Sequence, residues 1–190
     1  MIYMKISKRG EFNYIKSRKQ RIIFMAVLIV LIALAIFGIG LLVNKMDKAN
    51  VFTVIAVCAV LPWAKQVVAL VVLFPYHSVS LERYEKVKAA VPENVKLYTD
   101  LVITSTDKIM NLDFAVVGQG KVIGLIGKQG QDVKYIRKYL SEGISNCSDF
   151  RVMLVETEKA FMKEITNLSE KEILPEEEEK VNAYLCSLIV

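Results

Sequence analysis

The chain has 190 residues, 54% of them hydrophobic, a positive mean hydropathy and a formal charge of +5. Ordinary soluble domains are less apolar and do not gather their apolar residues in two blocks, so a purely soluble chain is excluded in favour of membrane spans. The charge is equally uneven. Residues 1–21 carry seven basic residues against one acidic, whereas Pro75 onward carries 15 Lys and Arg against 18 Asp and Glu. The net +5 is therefore no sign of a nucleic-acid-binding domain, and nucleic acid is not expected as a partner.

In chain order, a basic arm (residues 1–21) precedes the uncharged run Ile22 to Val43. That run is about 22 residues long, and ~20 helical residues cross a ~30 Å hydrocarbon layer. A cleaved signal peptide is the rival reading, but its apolar region is only ~7–15 residues and ends in a small-residue cleavage site that this run lacks. A short polar link, Asn44 to Asn50, leads to a second apolar run, Val51 to Phe74, interrupted only by Pro62, Lys65 and Gln66. Backbone polar groups in lipid must be paired within the segment, which makes both runs helices.

The basic arm, against a link holding only Lys45 and Lys48, sets the orientation. Both termini are expected in the cytoplasm and the link outside, in a multi-pass cell-membrane protein. Ala26, Ala33 and Gly40 recur every seven residues on the first span, and this small-residue stripe is expected to face the second span. Lys65 and Gln66 are the intramembrane polar residues. A lysine near the centre of a span costs at least ~2.5 kcal/mol on insertion scales, so it either snorkels to the headgroups or faces an interface or wet cavity.

Past Pro75 the periodicity changes. Ser80 caps a helix to about Val91, with Leu81, Tyr84, Val87 and Val91 on one face. Strands follow at Leu97–Thr104, Asn111–Val117 and Lys121–Ile126, the last two joined by a Gly118-Gln119-Gly120 turn. Gln131–Ile144 is an amphipathic helix, Phe150–Val155 a fourth strand and Thr157–Leu168 a helix. A last helix opens at Pro175, with Glu176 to Glu179 at its positive dipole end. The fold class is thus a two-helix membrane hairpin (22–74) plus a cytoplasmic α/β domain (75–190). The domain holds a mixed sheet in the order helix-β-β-β-helix-β-helix-helix.

Catalytic and cofactor signatures are sparse. His77 is the single histidine, there is no CxxC among Cys58, Cys147 and Cys186, and no cluster with zinc-ligand spacing appears. Glycines 118–130 do not have nucleotide-loop spacing. GxGxxG requires glycine where Ile123 stands, and a phosphate loop ending in Gly127-Lys128 requires Ser or Thr where Gln129 stands. No cofactor and no metal is expected. Lys134, Arg137 and Lys138 share one helical face, a basic patch suited to phosphate or lipid headgroups and equally to solvent; Lys121 and Lys128 are candidates to extend it.

The stretch Leu112-Asp113-Phe114-Ala115-Val116-Val117-Gly118, followed by Val122-Ile123-Gly124-Leu125-Ile126-Gly127-Lys128, resembles the nuclease-related domain of the restriction-endonuclease-like superfamily. The resemblance covers Leu81 to Val155. It implies an aspartate opening one strand and a Glu-x-Lys pair on the next, the carboxylates holding Mg²⁺ and the lysine assisting at the phosphate. Asp113 falls at the aspartate position and Lys128 at the lysine position. Ile126 stands where the glutamate belongs and cannot bind a hard cation, so the resemblance implies a degenerate site. The whole chain also resembles a bacterial family of two-pass inner-membrane proteins. It shares the basic arm Met4-Lys5-Ile6-Ser7-Lys8-Arg9 and the Leu61-Pro62-Trp63-Ala64-Lys65 centre of the second span.

Three functions compete. The leading one is a membrane-anchored, non-enzymatic scaffold or regulatory subunit whose cytoplasmic domain binds a protein partner, or a second copy. The alternatives are a membrane-tethered nuclease-like domain and a small transport subunit using Lys65. Partnered carboxylates discriminate the second, and a counter-charge for Lys65 the third. The topology is testable in a cysteine-free background. A membrane-impermeant thiol reagent on intact cells labels a cysteine placed at Asn44 and spares one placed at Ser141; the reverse pattern inverts the orientation.

Overall fold

The computed structural model describes residues 7–45, 47, 50–168 and 175–190. It divides into two compact units. Ser17–Pro75 form one; residues 7–16 join Tyr76–Val190 in the other. The basic arm is therefore not one body, since residues 7–16 belong to the α/β unit and 17–21 to the helical unit.

In the helical unit α1 spans Tyr14–Val43, beginning eight residues before the uncharged run. The second apolar stretch is α2, Val51–Cys58, and α3, Val60–Leu73. Pro62 explains the division: it has no N–H for the Cys58 carbonyl one turn back, and its ring crowds that carbonyl. The helix is interrupted at Ala59 and resumes as the Trp63 N–H reaches the Ala59 oxygen at 3.2 Å. Asn50 caps α2 by accepting from the Thr53 N–H at 3.0 Å, and the Asn44 amide donates to the Gly40 oxygen at 2.9 Å where α1 ends. Both stretches are long and apolar enough to cross a membrane, and almost none of either apolar window is buried. Leu34, Leu42, Leu61 and Val68 are each more than 60% exposed, so both stretches leave much of their apolar surface uncovered.

Small residues bring the two stretches together. A Cβ on Gly40 would collide with Phe52. Ala33, Phe37, Ala56, Ala59 and Trp63 line an apolar groove of about 400 Å³ between α1 and the α2–α3 stretch. At the other end of the unit the Lys19 ammonium donates to the Phe74 carbonyl at 3.0 Å, where α3 has ended.

The α/β unit runs α4 (Leu81–Ala90), β1 (Lys96–Thr104), β2 (Ile109–Gly118), β3 (Lys121–Ile126), α5 (Val133–Ser145), β4 (Arg151–Val155), α6 (Glu158–Thr166) and α7 (Pro175–Leu188). The sheet is mixed and ordered β1-β2-β3-β4. The first two pairings are antiparallel hairpins, and β4 lies parallel to β3 because the α5 crossover reverses the chain twice. One face packs Leu101, Leu112, Val122 and Leu154 against Ile136, Leu140 and Ile144 of α5 and Val181 and Leu185 of α7. The other packs Phe114, Val116, Ile123 and Leu125 against Val87 of α4 and Phe161 and Ile165 of α6. The alternation of strand residues between these two sets is the period-two rule of a sheet covered on both sides.

Two local assignments from sequence change. Leu81 is 56% exposed rather than on the buried face of α4. In the β2–β3 turn, Gln119 (φ 55°) and Gly120 (φ 72°) take the two left-handed positions, while Gly118 pairs with Lys121 and abuts Val95. That is the type I′ geometry of a two-residue hairpin, with glutamine where Asn or Asp is commoner.

The edge of β1 is covered by both ends of the described chain. The Thr99 N–H donates to the Gly10 oxygen at 2.9 Å, and Gly10, at φ 77°, lies so close to the Tyr98 ring that a Cβ would strike it. Phe12 stacks on Tyr84 at 4.5 Å between ring centres. Ile189 bridges Ile103, the Val190 N–H donates to the Val102 oxygen at 3.1 Å, and the Tyr14 hydroxyl donates to the Val190 oxygen at 2.9 Å. Such coverage blunts a sheet edge that would otherwise pair with other chains.

The Gly40–Phe52 contact yields a stability prediction. Gly40→Val forces the helices apart and costs about 1–3 kcal/mol, the usual penalty of overpacking. It is read as a lowered thermal midpoint of the full chain in mild detergent, while Gly38→Val, where a Cβ meets nothing within 4 Å, has a smaller effect.

Candidate functional site

Asp113 is placed by a β-bulge. On β2, Leu112 pairs with Ile126 but Phe114 already pairs with Leu125, so Asp113 is the extra residue. The bulge puts Asp113 beside Phe114 on the α4/α6 face. Leu112 and Ile126 belong to the opposite face, packed with α5 and α7. Ile126, at the position of the expected glutamate, thus points away from Asp113. Gly127 follows, and a Cβ there would meet Asn111 and Asp113. Glycine lets the end of β3 pass beneath those two polar side chains.

Asp113 is answered from α4. The Arg83 guanidinium donates to its Oδ2 at 2.9 Å and, through Nε, to Glu158 Oε2 at 3.1 Å. Lys86 Nζ completes the group at 3.0 Å from Glu158 Oε1. Arg83 also lies over the Phe114 ring, 5.6 Å from its centre. Two helix caps fix the donors and acceptors: Ser80 accepts from the Arg83 N–H, and Thr157 accepts from the Ala160 N–H, each at 3.4 Å. The group is charge-balanced, two cations against two carboxylates. Burial works to lower the Arg83 pKa, but hydrogen bonds and charge from Asp113 and Glu158 outweigh it and hold it above the usual value. Hydrogen bonding from Lys86, then from Arg83, holds the Glu158 carboxyl below the usual range.

A second carboxylate faces Asp113. Asp100 on β1 lies between the pairs Thr99↔Phe114 and Leu101↔Leu112, which puts it opposite Asp113 in register. It is 1% exposed and sits at φ 57°, a left-handed position that aspartate tolerates better than most residues. Its Oδ1 accepts from the Val79 N–H at 3.0 Å. Burial pushes its pKa up and the Asp113 charge adds to the rise; the hydrogen bond from Val79 acts against it, while Oδ2 is buried with no hydrogen-bond partner among the described residues. Ser78 accepts from the Lys16 N–H at 3.1 Å. Two bonds therefore hold the crossings: Lys16, where the chain leaves this unit, to Ser78, where it has returned, and Val79 to the buried Asp100 carboxylate.

These residues do not fit the Mg²⁺ site that the nuclease resemblance implies. Asp113 is held by Arg83, Asp100 is buried and accepts from the Val79 N–H, and the glutamate position is an apolar core residue. Among the described residues no three His, Cys, Asp or Glu side chains gather as a metal site would require. Lys128 does not pair with Asp113; its ammonium lies over the Tyr76 ring, 5.8 Å from the centre. Gln131 instead closes this end of the sheet. Its amide accepts from the Asn111 N–H at 2.7 Å and donates to the Asn111 oxygen at 2.9 Å, as a strand residue would.

Lys134, Arg137 and Lys138 are all exposed on α5, with Lys138 3.8 Å from Glu142. Lys121 and Lys128 lie at opposite ends of β3, so they cannot both extend that patch. In the helical unit Lys65 is exposed and Gln66 half-buried. The sequence does not single out Arg83 or Glu158, and it offers Asp100 only as a first-strand carboxylate that could replace the missing second metal ligand. Asp100 had a signal, since aspartate is depleted inside apolar strands; Arg83 and Lys86, three apart on one helix face, had a weaker one.

Comparison with protein-family models, with curated proteins and with solved structures finds no match. The nuclease resemblance rests on its residues alone.

The two shifted carboxyls give opposite pH dependences. A raised folded pKa makes Asp100 stabilising below its unfolded value of ~3.9, and that contribution is lost as pH rises through the folded pKa. Asp100→Asn keeps the acceptor for Val79 without the charge. The mutant approaches the native chain in Tm as pH falls toward the unfolded value and exceeds it at pH 7. Glu158→Gln does the reverse, being destabilising at pH 7 and nearly neutral once pH falls through the native Glu158 pKa. Tm against pH for both variants in mild detergent checks the pair of signs.

Proposed function

We propose that this chain is a membrane-anchored, non-enzymatic scaffold or regulatory subunit, tethered by two spans and presenting its α/β unit in the cytoplasm as a protein-binding module. The observation that carries the reading is the pair of apolar helices whose side chains are exposed along nearly their whole length. Apolar surface of that extent is not stable in water and calls for lipid or protein around it. The excess of basic residues in 1–21 over the connecting link supports cytoplasmic termini.

The non-enzymatic part draws on how the polar residues of the α/β unit are used. Arg83, Asp113, Glu158 and Lys86 answer one another, and Asp100 holds the returning chain at Val79. Metal-assisted phosphodiester hydrolysis needs a divalent cation held by carboxylates beside the scissile phosphate. An aspartate already held by a guanidinium, opposite a buried carboxylate that accepts from the Val79 N–H, is poorly suited to that task.

Two assays test this. After an alkaline wash of expressing cells, the full chain stays with the membrane pellet; its release into the supernatant overturns the anchoring. Purified full-length protein, incubated with single- and double-stranded DNA and RNA in Mg²⁺ or Mn²⁺, shows no cleavage. Cleavage that disappears in both Asp113→Ala and Lys128→Ala would establish a nuclease instead. The full chain is required because residues 7–16 are part of the α/β unit, so a fragment starting at Ser78 lacks the cover of β1.

A further inference from the structure

We propose that the face of α3 centred on Lys65 binds a transmembrane helix of a different protein, one that carries an aspartate or glutamate at matching depth. This inference rests on the membrane reading above and gives the partner a chemistry.

Leu61, Lys65 and Val68 follow one another at spacings of four and three, which places them on one side of a helix. Leu61 is 76% and Val68 63% exposed, and Lys65 is exposed between them. Thr53, Ala56, Val60 and Trp63 line the groove against α1, so the Lys65 side is the one turned away from the other helix of the hairpin. Lys65 takes no part in an ion pair among the described residues.

Depth decides against simple snorkelling. The stretch Val51–Leu73 has 23 residues, and Lys65 stands eight before its end. At ~1.5 Å per residue its Cα is ~12 Å inside that end. A lysine side chain reaches roughly 6 Å, which leaves the ammonium ~6 Å short of the end of the helix. Reaching the headgroups from there is strained, and a counter-charge at the ammonium's own level would offset the cost of leaving it in lipid.

Charge then selects the occupant. Between Ser17 and Pro75 the single carboxylate is Asp47, in the link at the far end of the span. A second copy of the hairpin therefore brings no acid to Lys65. A two-fold contact through this face would set two ammoniums together. The complementary surface is an apolar helix with one carboxylate, which forms a charge-assisted hydrogen bond where no water competes.

The test uses the full chain, with a fluorescent protein fused at its N-terminus as energy donor, reconstituted in phosphatidylcholine vesicles. The probe is an acceptor-labelled synthetic Leu/Ala helix of membrane-spanning length carrying one aspartate at its centre; the control has leucine there. The aspartate helix is expected to bind at least tenfold more tightly than the control. Lys65→Leu abolishes that preference, and Lys65→Asp transfers it to a helix carrying lysine. Equal binding of the two helices to the native chain overturns the proposal, as does a preference that survives Lys65→Leu. So does a Lys65-dependent association with added phosphatidylglycerol without aspartate preference, which assigns the ammonium to a headgroup phosphate. An alkaline wash of the vesicles separates the two levels of the argument. Protein that washes off refutes the membrane reading itself, whereas protein that stays but ignores the aspartate helix refutes the partner alone.

Discussion

Everything in the α/β unit is arranged around one constraint: its chain is interrupted. Residues 7–16 and Tyr76–Val190 make one body, and the whole helical hairpin is spliced between them. A domain with such an insertion must hold two strands of outgoing and incoming chain side by side. The Lys16 N–H on the Ser78 hydroxyl ties the two crossings directly, and the buried Asp100 carboxylate holds the returning chain through the Val79 N–H. The requirement also accounts for an energetically awkward choice. A left-handed aspartate, buried and opposite another carboxylate, is a local penalty that persists only where surrounding structure needs it.

The Arg83 cluster is intelligible as the other half of that arrangement. Asp113 lies opposite Asp100 because β2 bulges there, and two unanswered carboxylates in register would repel each other in a poorly solvated sheet. Arg83 removes the problem for Asp113, and Glu158 and Lys86 extend the pairing to the exposed edge of the group. Removing either member of the Arg83–Asp113 pair leaves the other partly buried and unpaired, which is worse than replacing both with apolar residues of similar shape.

Much of this architecture is legible in the sequence because it rests on periodicity. The uncharged runs, the alternating strands and the stripes Val133/Ile136/Leu140/Ile144 and Val181/Tyr184/Leu185/Leu188/Ile189 each repeat often enough to be read by eye; the structure buries all of these stripe residues but Val133, Tyr184 and Leu188, which are half-buried. Single-residue geometry is not legible. The bulge at Asp113 adds one residue with no change of pattern, and it decides which face the aspartate meets. The partner of Asp113 is Arg83, thirty positions earlier on α4, a pairing that no local pattern encodes. The arm read as a simple charge signal because its docking depends on Gly10, Phe12 and Tyr14 finding Tyr98, Tyr84 and Val190, contacts that no local pattern encodes.

The covering of β1 by both ends of the described chain sets an order of events during synthesis. Residues 7–16 leave the ribosome long before Tyr98, Thr99 or Ile189 exist. The two apolar helices follow at once and are available for insertion while the α/β unit has neither its sheet nor its last helix. Gly10 and Tyr14 must therefore wait for a strand made some ninety residues later and for Val190, made later still. The two apolar helices are thus complete before the α/β unit can fold, and that unit closes by gathering an early segment and a late one onto the same strand.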